Sequence, residues 1–239
     1  MSRRRFFVQA VRGGVAELRG DEARHLTRVL RVEAGQQYEI SDQQSAYLAE
    51  IAEARGDRVL FRVLEPIASA ELPVRITLVA ALFKFDRFEW MIEKATELGV
   101  ERILPVETAR SEKGLMEASR KRAERWLRIA RESGQQSRRL RAPEIGPTVR
   151  LVASLAEAAD YHYLLDEAGA PPLLGRLPAE RTQPAIVALL TGPEGGWTTE
   201  EREQAAAAGW EPVSLGPQIL RAETAAAAAI AIVMNAWCK

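Results

Sequence analysis

The sequence predicts an α/β protein with a small all-β unit in front of it. Between Val32 and Leu64, short β-branched and aromatic runs alternate with turn residues, the pattern of an all-β unit of barrel type. After Pro73 apolar strand-like runs alternate with amphipathic helical stretches, as in a parallel sheet covered by helices. A glycine-rich turn, Thr191-Gly192-Pro193-Glu194-Gly195-Gly196-Trp197, then follows an apolar run. Open α/β sheets hold ligands at such turns, beyond the carboxyl ends of their strands. Two domains are expected, at residues 1–72 and 73–239.

Along the chain, Arg3-Arg4-Arg5-Phe6-Phe7-Val8 reads as a basic arm entering a strand. Residues 21–31 have helical spacing, with Leu26, Val29 and Leu30 facing inward and Arg24, Arg28 and Arg31 on an outer face. His25 reads as a surface or packing residue. Strands are expected at 38–41, 46–51 and 58–64, and 65–73 reads as a linker with Pro66 and Pro73 near its ends. Residues 74–82 form the next strand. Residues 85–99 form an amphipathic helix with Gly99 as its C-terminal cap. A strand at 102–106 leads to a basic amphipathic helix at 119–133, with Trp126, Ile129 and Ala130 inward. A short helix at 151–159 precedes a strand at 161–165 that ends in Asp166-Glu167. Past the glycine turn come a helix at 199–208, a strand at 212–215 and a long apolar helix from about 223 to 237.

Two stretches carry chemistry. In the glycine turn, Gly195 and Gly196 permit backbone angles other residues avoid and let main chain approach a ligand closely. Thr198 and Glu201 have capping-box spacing, which starts a helix there. The turn reads equally as a ligand cradle or as a tight strand-to-helix connection. The second stretch is Leu215-Gly216-Pro217-Gln218-Ile219-Leu220-Arg221-Ala222-Glu223-Thr224-Ala225. It too joins a strand to a helix, and two such turns at neighbouring strand ends can present backbone groups to one flat polar ligand. Arg221 stands just before an almost uncharged helix, where a cation opposes the helix dipole by roughly several tenths of a kcal/mol. It is held there by Glu223 or by an anionic substrate.

Composition narrows the classes. Of 239 residues 47% are hydrophobic and 28% charged, ordinary for a chain able to bury a proper core. The single cysteine, Cys238, rules out an internal disulfide framework, and two distant histidines disfavour a histidine-built metal site. No apolar run is long enough to span a membrane, and residues 1–12 lack the apolar core of a signal peptide, so a cytoplasmic protein is expected. A zero net charge hides asymmetry. Residues 1–31 carry eight arginines against three acids, and residues 102–141 carry twelve basic residues against five glutamates. These blocks read as solvated helix faces or as faces aimed at a polyanion. No Gly-x-Gly-x-x-Gly, phosphate-loop or His-Glu-x-x-His motif occurs, which counts against Rossmann hydride transfer, ATP hydrolysis and zinc hydrolysis.

Taken together, Gly192 to Gly196 and Leu215 to Ala225 resemble the paired cofactor loops of the SPOUT methyltransferases. More closely, they resemble the bacterial 16S ribosomal RNA uridine N3-methyltransferase family (the RsmE family). Glu93-Lys94-Ala95-Thr96-Glu97-Leu98-Gly99-Val100 is similar to that family's early helix, and His25-Leu26 with Val29-Leu30-Arg31 to its N-terminal domain. The likeness spans nearly the whole chain in order.

It implies a PUA-like β-barrel followed by a SPOUT α/β domain with a deep trefoil knot. It further implies a homodimer, S-adenosylmethionine as methyl donor with no metal, and N3 methylation of a uridine in 16S ribosomal RNA, free or in the small subunit. The cofactor positions carried over are Leu190, Gly192, Gly195, Gly196, Leu215, Gly216, Ile219 and Leu220. Arg221 would stabilise the charge on deprotonated uracil and Glu223 would orient it. Glu194 would serve as general base or only brace the loop. RNA phosphates would be gripped by Arg3, Arg4, Arg5, Arg24, Arg28, Arg31, Arg138 and Arg139. A SPOUT enzyme acting on another base or a ribose 2′-hydroxyl stays open, as does a non-catalytic RNA-binding assembly factor.

Overall fold

The computed structural model describes residues 4–68, 72–181 and 184–237. Arg3 and Cys238 therefore lie outside the described residues. The chain divides into two compact units, Met1–Glu71 with Arg131–Ala142, and Leu72–Ala130 with Pro143–Lys239.

The first unit holds β1 (Arg5–Phe7), β2 (Val11–Arg12), β3 (Val15–Arg19), α1 (Asp21–Arg28), β4 (Gln37–Ser41), β5 (Ala46–Arg55) and β6 (Arg58–Ile67). Its sheet runs β1-β4-β5-β6-β3-β2, antiparallel except for β1 against β4. Strands β5 and β6 outrun the expected 46–51 and 58–64 because the two-residue turn Gly56-Asp57, with Gly56 at φ +56°, closes a long hairpin. Two register shifts in that hairpin bend the sheet around a core of Phe6, Leu18, Leu26, Ile40, Ile51, Val59 and Phe61. Helix α1 stops three residues short of the expected end. Val29 is 65% exposed and Leu30 is exposed beside it, and Arg31 turns to φ +50°, so neither apolar residue faces inward as the spacing suggested.

The segment 131–142 belongs to this unit through polar ties. Arg131 forks onto Glu22 at 2.5 and 2.7 Å and donates to the Phe7 carbonyl at 2.9 Å. Buried Arg5 holds Glu39 at 2.9 and 3.1 Å and donates to the Arg138 carbonyl at 2.6 Å. The Ser41 hydroxyl donates to the Leu140 carbonyl at 2.6 Å.

The second unit continues with β7 (Val74–Ala81), α2 (Phe85–Glu97), β8 (Arg102–Glu107), α3 (Leu115–Arg120) and α4 (Ala123–Gln136), whose residues from Arg131 onward count with the first unit. Next come β9 (Glu144–Ile145), β10 (Val149–Arg150), α5 (Leu151–Ser154), β11 (Tyr161–Leu165) and α6 (Leu173–Arg176). Last are β12 (Ala185–Thr191), α7 (Thr199–Ala207), β13 (Glu211–Val213) and α8 (Ala222–Trp237). The helix expected at 119–133 is two helices. Lys121 and Arg122 bond back to Ala118 and Ser119, tightening the turn and ending α3.

All strands of this sheet are parallel, in the order β10-β8-β7-β12-β11-β13, with β9 against β8. Side chains alternate along each strand, so both faces need cover. Val187 and Leu189 of β12 join the cluster built with α2 and α8, whereas Ala188 and Leu190 join the opposite cluster with Leu151, Trp197 and Ala205. Helix α8 buries Ala222, Ala226, Ala229, Ile230, Val233 and Trp237 on one stripe. The loops at the carboxyl ends of β7, β8, β11, β12 and β13 thus gather on one edge.

Candidate active site

The first wall of the site is the turn after β12. A Cβ on Gly192 would lie 3.0 Å from Cε2 of Trp197, so the indole packs against bare backbone. The Trp197 Nε1–H donates to the Leu165 carbonyl at 2.9 Å, tying the turn to the end of β11. Gly196 closes the turn on Pro193 at 2.9 Å and sits at φ +67°, a region other residues reach only with strain. The expected capping box is present: Glu201 N–H donates to Thr198 Oγ1 and Thr198 N–H to Glu201 Oε2. Oε1 of Glu201 accepts from the Ala109 N–H at 2.8 Å, joining the loop after β8 to the same structure.

The second wall is the stretch after β13. Gly216 has φ +122° with open space around it. Among the described residues no backbone hydrogen bond ties 215–220 to the rest. Ile219 is 81% exposed and Leu220 is exposed beside it. Between the walls lies a cavity of about 360 Å³.

Six of the eight sequence-expected cofactor residues line it: Gly192, Gly196, Leu215, Gly216, Ile219 and Leu220. Two do not. Leu190 points to the opposite face of the sheet and packs in the core with Trp197, and strand alternation brings the next residue, Thr191, to the cavity instead. Gly195 faces away, where its Cβ would lie 3.2 Å from Cβ of Arg110.

Charged groups around the cavity are mostly paired. Arg87 of α2 bonds Glu194, and its Nε lies 3.9 Å from Glu223. Glu223 is buried, with Oε2 lacking any partner among the described residues. The expected Arg221–Glu223 pair does not form. At the first turn of α8 the Glu223 side chain turns toward α2, and Arg221 is exposed with no side-chain partner among the described residues. Asp166 is held bidentately by Arg202 at 2.6 and 3.0 Å. Burial works against its charge, but the guanidinium and the Ala168 N–H outweigh burial and hold the carboxyl below its ordinary range. The Glu167 carboxylate lines the cavity beside Gly196, and among the described residues this side chain has no hydrogen-bonded partner. Arg87, Thr191 and Glu167 were not anticipated. Only strand alternation at Thr191 offered a local signal.

The comparisons decide the family. Residues 70–234 match the family described as RNA methyltransferase domain, and residues 18–64 the one described as RNA methyltransferase PUA domain. The ribosomal RNA small subunit methyltransferase E of Synechocystis is 35% identical over 215 residues, 87% of this chain and 68% of that protein. The chain belongs to the ribosomal RNA small subunit methyltransferase E family. The Bacillus subtilis member is 29% identical over 236 residues, 92% of both chains. The Neisseria gonorrhoeae member, solved bound to S-adenosyl methionine, superposes with a TM-score of 0.88 at 29% identity over 99% of this chain and 98% of that one. A Legionella pneumophila protein solved with the bound cofactor SAM gives 0.88 at 30% identity over 99% and 98%. The fold is thus the SPOUT α/β fold preceded by a PUA domain.

In this family member the arginines expected to grip RNA fall into distinct groups. Arg5 and Arg138 are spent on Glu39, and Arg24 on Asp21 and Asp57. Arg4 lies over the Phe6 ring and its Nη2 reaches Gln135 at 3.5 Å, while the Arg139 N–H closes a turn on Gly134. Arg28 and Arg31 are exposed, with no ion pair among the described residues. A charge count cannot see these pairings, several of which, such as Arg5 and Arg138 with Glu39, join residues far apart in sequence.

Proposed function

We propose that this chain transfers the methyl group of S-adenosylmethionine to N3 of a specific uridine in 16S ribosomal RNA. The observation that carries the reading is the convergence of both turns and Arg221 on one cavity. The cavity's residues fit the cofactor. Its volume is ligand-sized, Thr191 presents a buried hydroxyl with no partner among the described residues, and Gly196 leaves the wall bare beside Glu167. Gly192, Gly196, Leu215, Gly216, Ile219 and Leu220 would hold it, with Glu167 the unpaired anion facing a cationic ligand. S-adenosylmethionine supplies a methyl group already activated by its sulfonium, so the protein's task is alignment and charge stabilisation.

Loss of the N3 proton spreads negative charge onto the uracil carbonyl oxygens. In this reading Arg221, which lines the cavity without a side-chain partner among the described residues, would donate to one of them. Glu194 is a brace in this reading, because Arg87 already holds its carboxylate. Glu223 secures Arg87 instead of Arg221. The target base leaves its stack to reach the cavity.

The same reading assigns residues 1–72 to RNA binding, with Arg28 and Arg31 as phosphate contacts, and residues 73–239 to catalysis. It takes the segment carrying both turns as a trefoil knot and the active form as a cytoplasmic homodimer, which light scattering measures. Among the described residues no helix is long and apolar enough to cross a membrane.

Mass spectrometry of nucleosides from ribosomal RNA of a strain lacking this protein tests the function. One 3-methyluridine should disappear from 16S RNA and return when the purified protein is added with S-adenosylmethionine. Loss of a 2′-O-methyl nucleotide instead would move the protein to another SPOUT reaction.

A further inference from the structure

Gly195 belongs to the cofactor turn but turns its back on the cavity. What it meets there is Arg110, from the loop after β8. The Arg110 Nη1 donates to the Gly195 carbonyl at 2.8 Å, and its aliphatic stem lies where a Gly195 side chain would stand, 3.2 to 3.5 Å from the missing Cβ. The absence of a side chain at Gly195 thus serves the arginine.

The loop that presents Arg110 is fixed at several points. The Thr108 N–H donates to Ser111 Oγ at 3.2 Å, and the Ser111 hydroxyl donates to the Leu82 carbonyl at 3.1 Å. The Ala109 N–H is held by Glu201, the residue that caps the helix following the glycine turn. Loop and turn are therefore one connected assembly, with Arg110 at its outer surface.

The charge on Arg110 is the second observation. Arg87 and Arg202 on this edge of the sheet are neutralised by Glu194 and Asp166. Arg110 is exposed and has no carboxylate partner among the described residues; its known acceptor is a backbone carbonyl. A guanidinium carries five N–H donors in a planar fork, so one bond to Gly195 leaves a face free for a phosphate. A lysine, with a compact ammonium, cannot brace a carbonyl and fork a phosphate with the same geometry.

We propose that Arg110 is an RNA-backbone contact which also sets the cofactor turn, so that binding of RNA and seating of the cofactor are coupled through the Gly195 carbonyl. This rests on the methyltransferase reading above. Arg110 is a positioning residue here, and Arg221 keeps its own role at the target base. The coupling is reciprocal by thermodynamic necessity: RNA that orders Arg110 tightens the cofactor, and cofactor tightens RNA by the same factor.

The experiment measures two affinities on the full chain. RNA binding to unmodified 16S ribosomal RNA transcribed in vitro is followed across a salt series. Binding of S-adenosylmethionine is followed by calorimetry with and without that RNA. Wild type should bind the cofactor more tightly when RNA is present. Arg110→Ala should lose roughly tenfold in RNA affinity. Its log–log salt slope should shrink by about 0.7–0.9, one phosphate's worth. RNA should no longer tighten its cofactor. Arg110→Lys, the variant that keeps the charge and the fold, should recover the salt slope without the coupling.

An unchanged slope in Arg110→Ala overturns the phosphate contact. Coupling that survives in both variants overturns the link to the turn. If wild type transfers no methyl group to this RNA, the functional reading itself fails. If it does so and Arg110→Ala matches it in slope and coupling, the inference alone fails.

Discussion

The turn after β12 and the turn after β13 wall the same cavity, yet they are held in opposite ways. The first is locked at both ends: the Trp197 indole bonds Leu165, a capping box starts α7, and Glu201 and Arg110 clamp it to a neighbouring loop. The second has no backbone tie across 215–220 among the described residues and leaves Ile219 and Leu220 in solvent. A preformed wall spares a ligand the cost of ordering it, while a loose one must be ordered on binding. The first turn should therefore govern stability and cofactor shape, and the second should govern closure around the ligands.

The largest expected effect is on the locked turn. Trp197→Ala removes a buried indole from the core and should cost about 3–5 kcal/mol in chemical unfolding. A loss below about 1 kcal/mol would mean the turn is not locked by this residue. On the loose side, Arg221→Ala should slow methyl transfer by about a hundredfold or more in single-turnover assays. Its calorimetric affinity for S-adenosylmethionine should stay near that of wild type, and equal turnover would remove Arg221 from the chemistry.

The Asp166–Arg202 pair under the locked turn gives a pH signature. A carboxyl whose folded pKa lies below its ordinary 3.8 stabilises the fold above that value and loses the contribution as pH falls through the folded value. Urea midpoints should drop below about pH 4. Asp166→Asn should flatten that part of the profile, and an identical profile would show the pair to be silent. The smallest stability effect belongs to Ile219→Ser, within about 0.5 kcal/mol of wild type. Cofactor affinity should nevertheless fall, and a variant that keeps full affinity would show that this turn does not close over the ligand.

Much of this was legible locally. The capping box at Thr198 and Glu201, the buried run of β12 and the apolar stripe of α8 follow from spacing alone. The readings of the site that shifted depended on partners distant in sequence. By spacing Glu223 is the natural mate of Arg221, two residues away, but α2 brings Arg87 to it. By its motif Gly195 is expected to face a ligand, whereas its bare Cα faces Arg110. Leu190 and Thr191 exchanged roles because side chains alternate along β12, which buries Leu190 in the core and turns Thr191 to the cavity. The basic block near residue 138 looked free for RNA, yet Arg138 meets Glu39 in the first unit.

By itself, then, the order of residues determined the α/β grammar, the helix starts and the two glycine turns, since these rest on interactions within a few positions of one another. Only the tertiary structure decided which charges are neutralised and which stand open, because ion pairs such as Arg87 with Glu194 form across 107 positions of chain. Electrostatic attraction acts through space between groups a fold has brought together, and linear spacing carries no record of that distance.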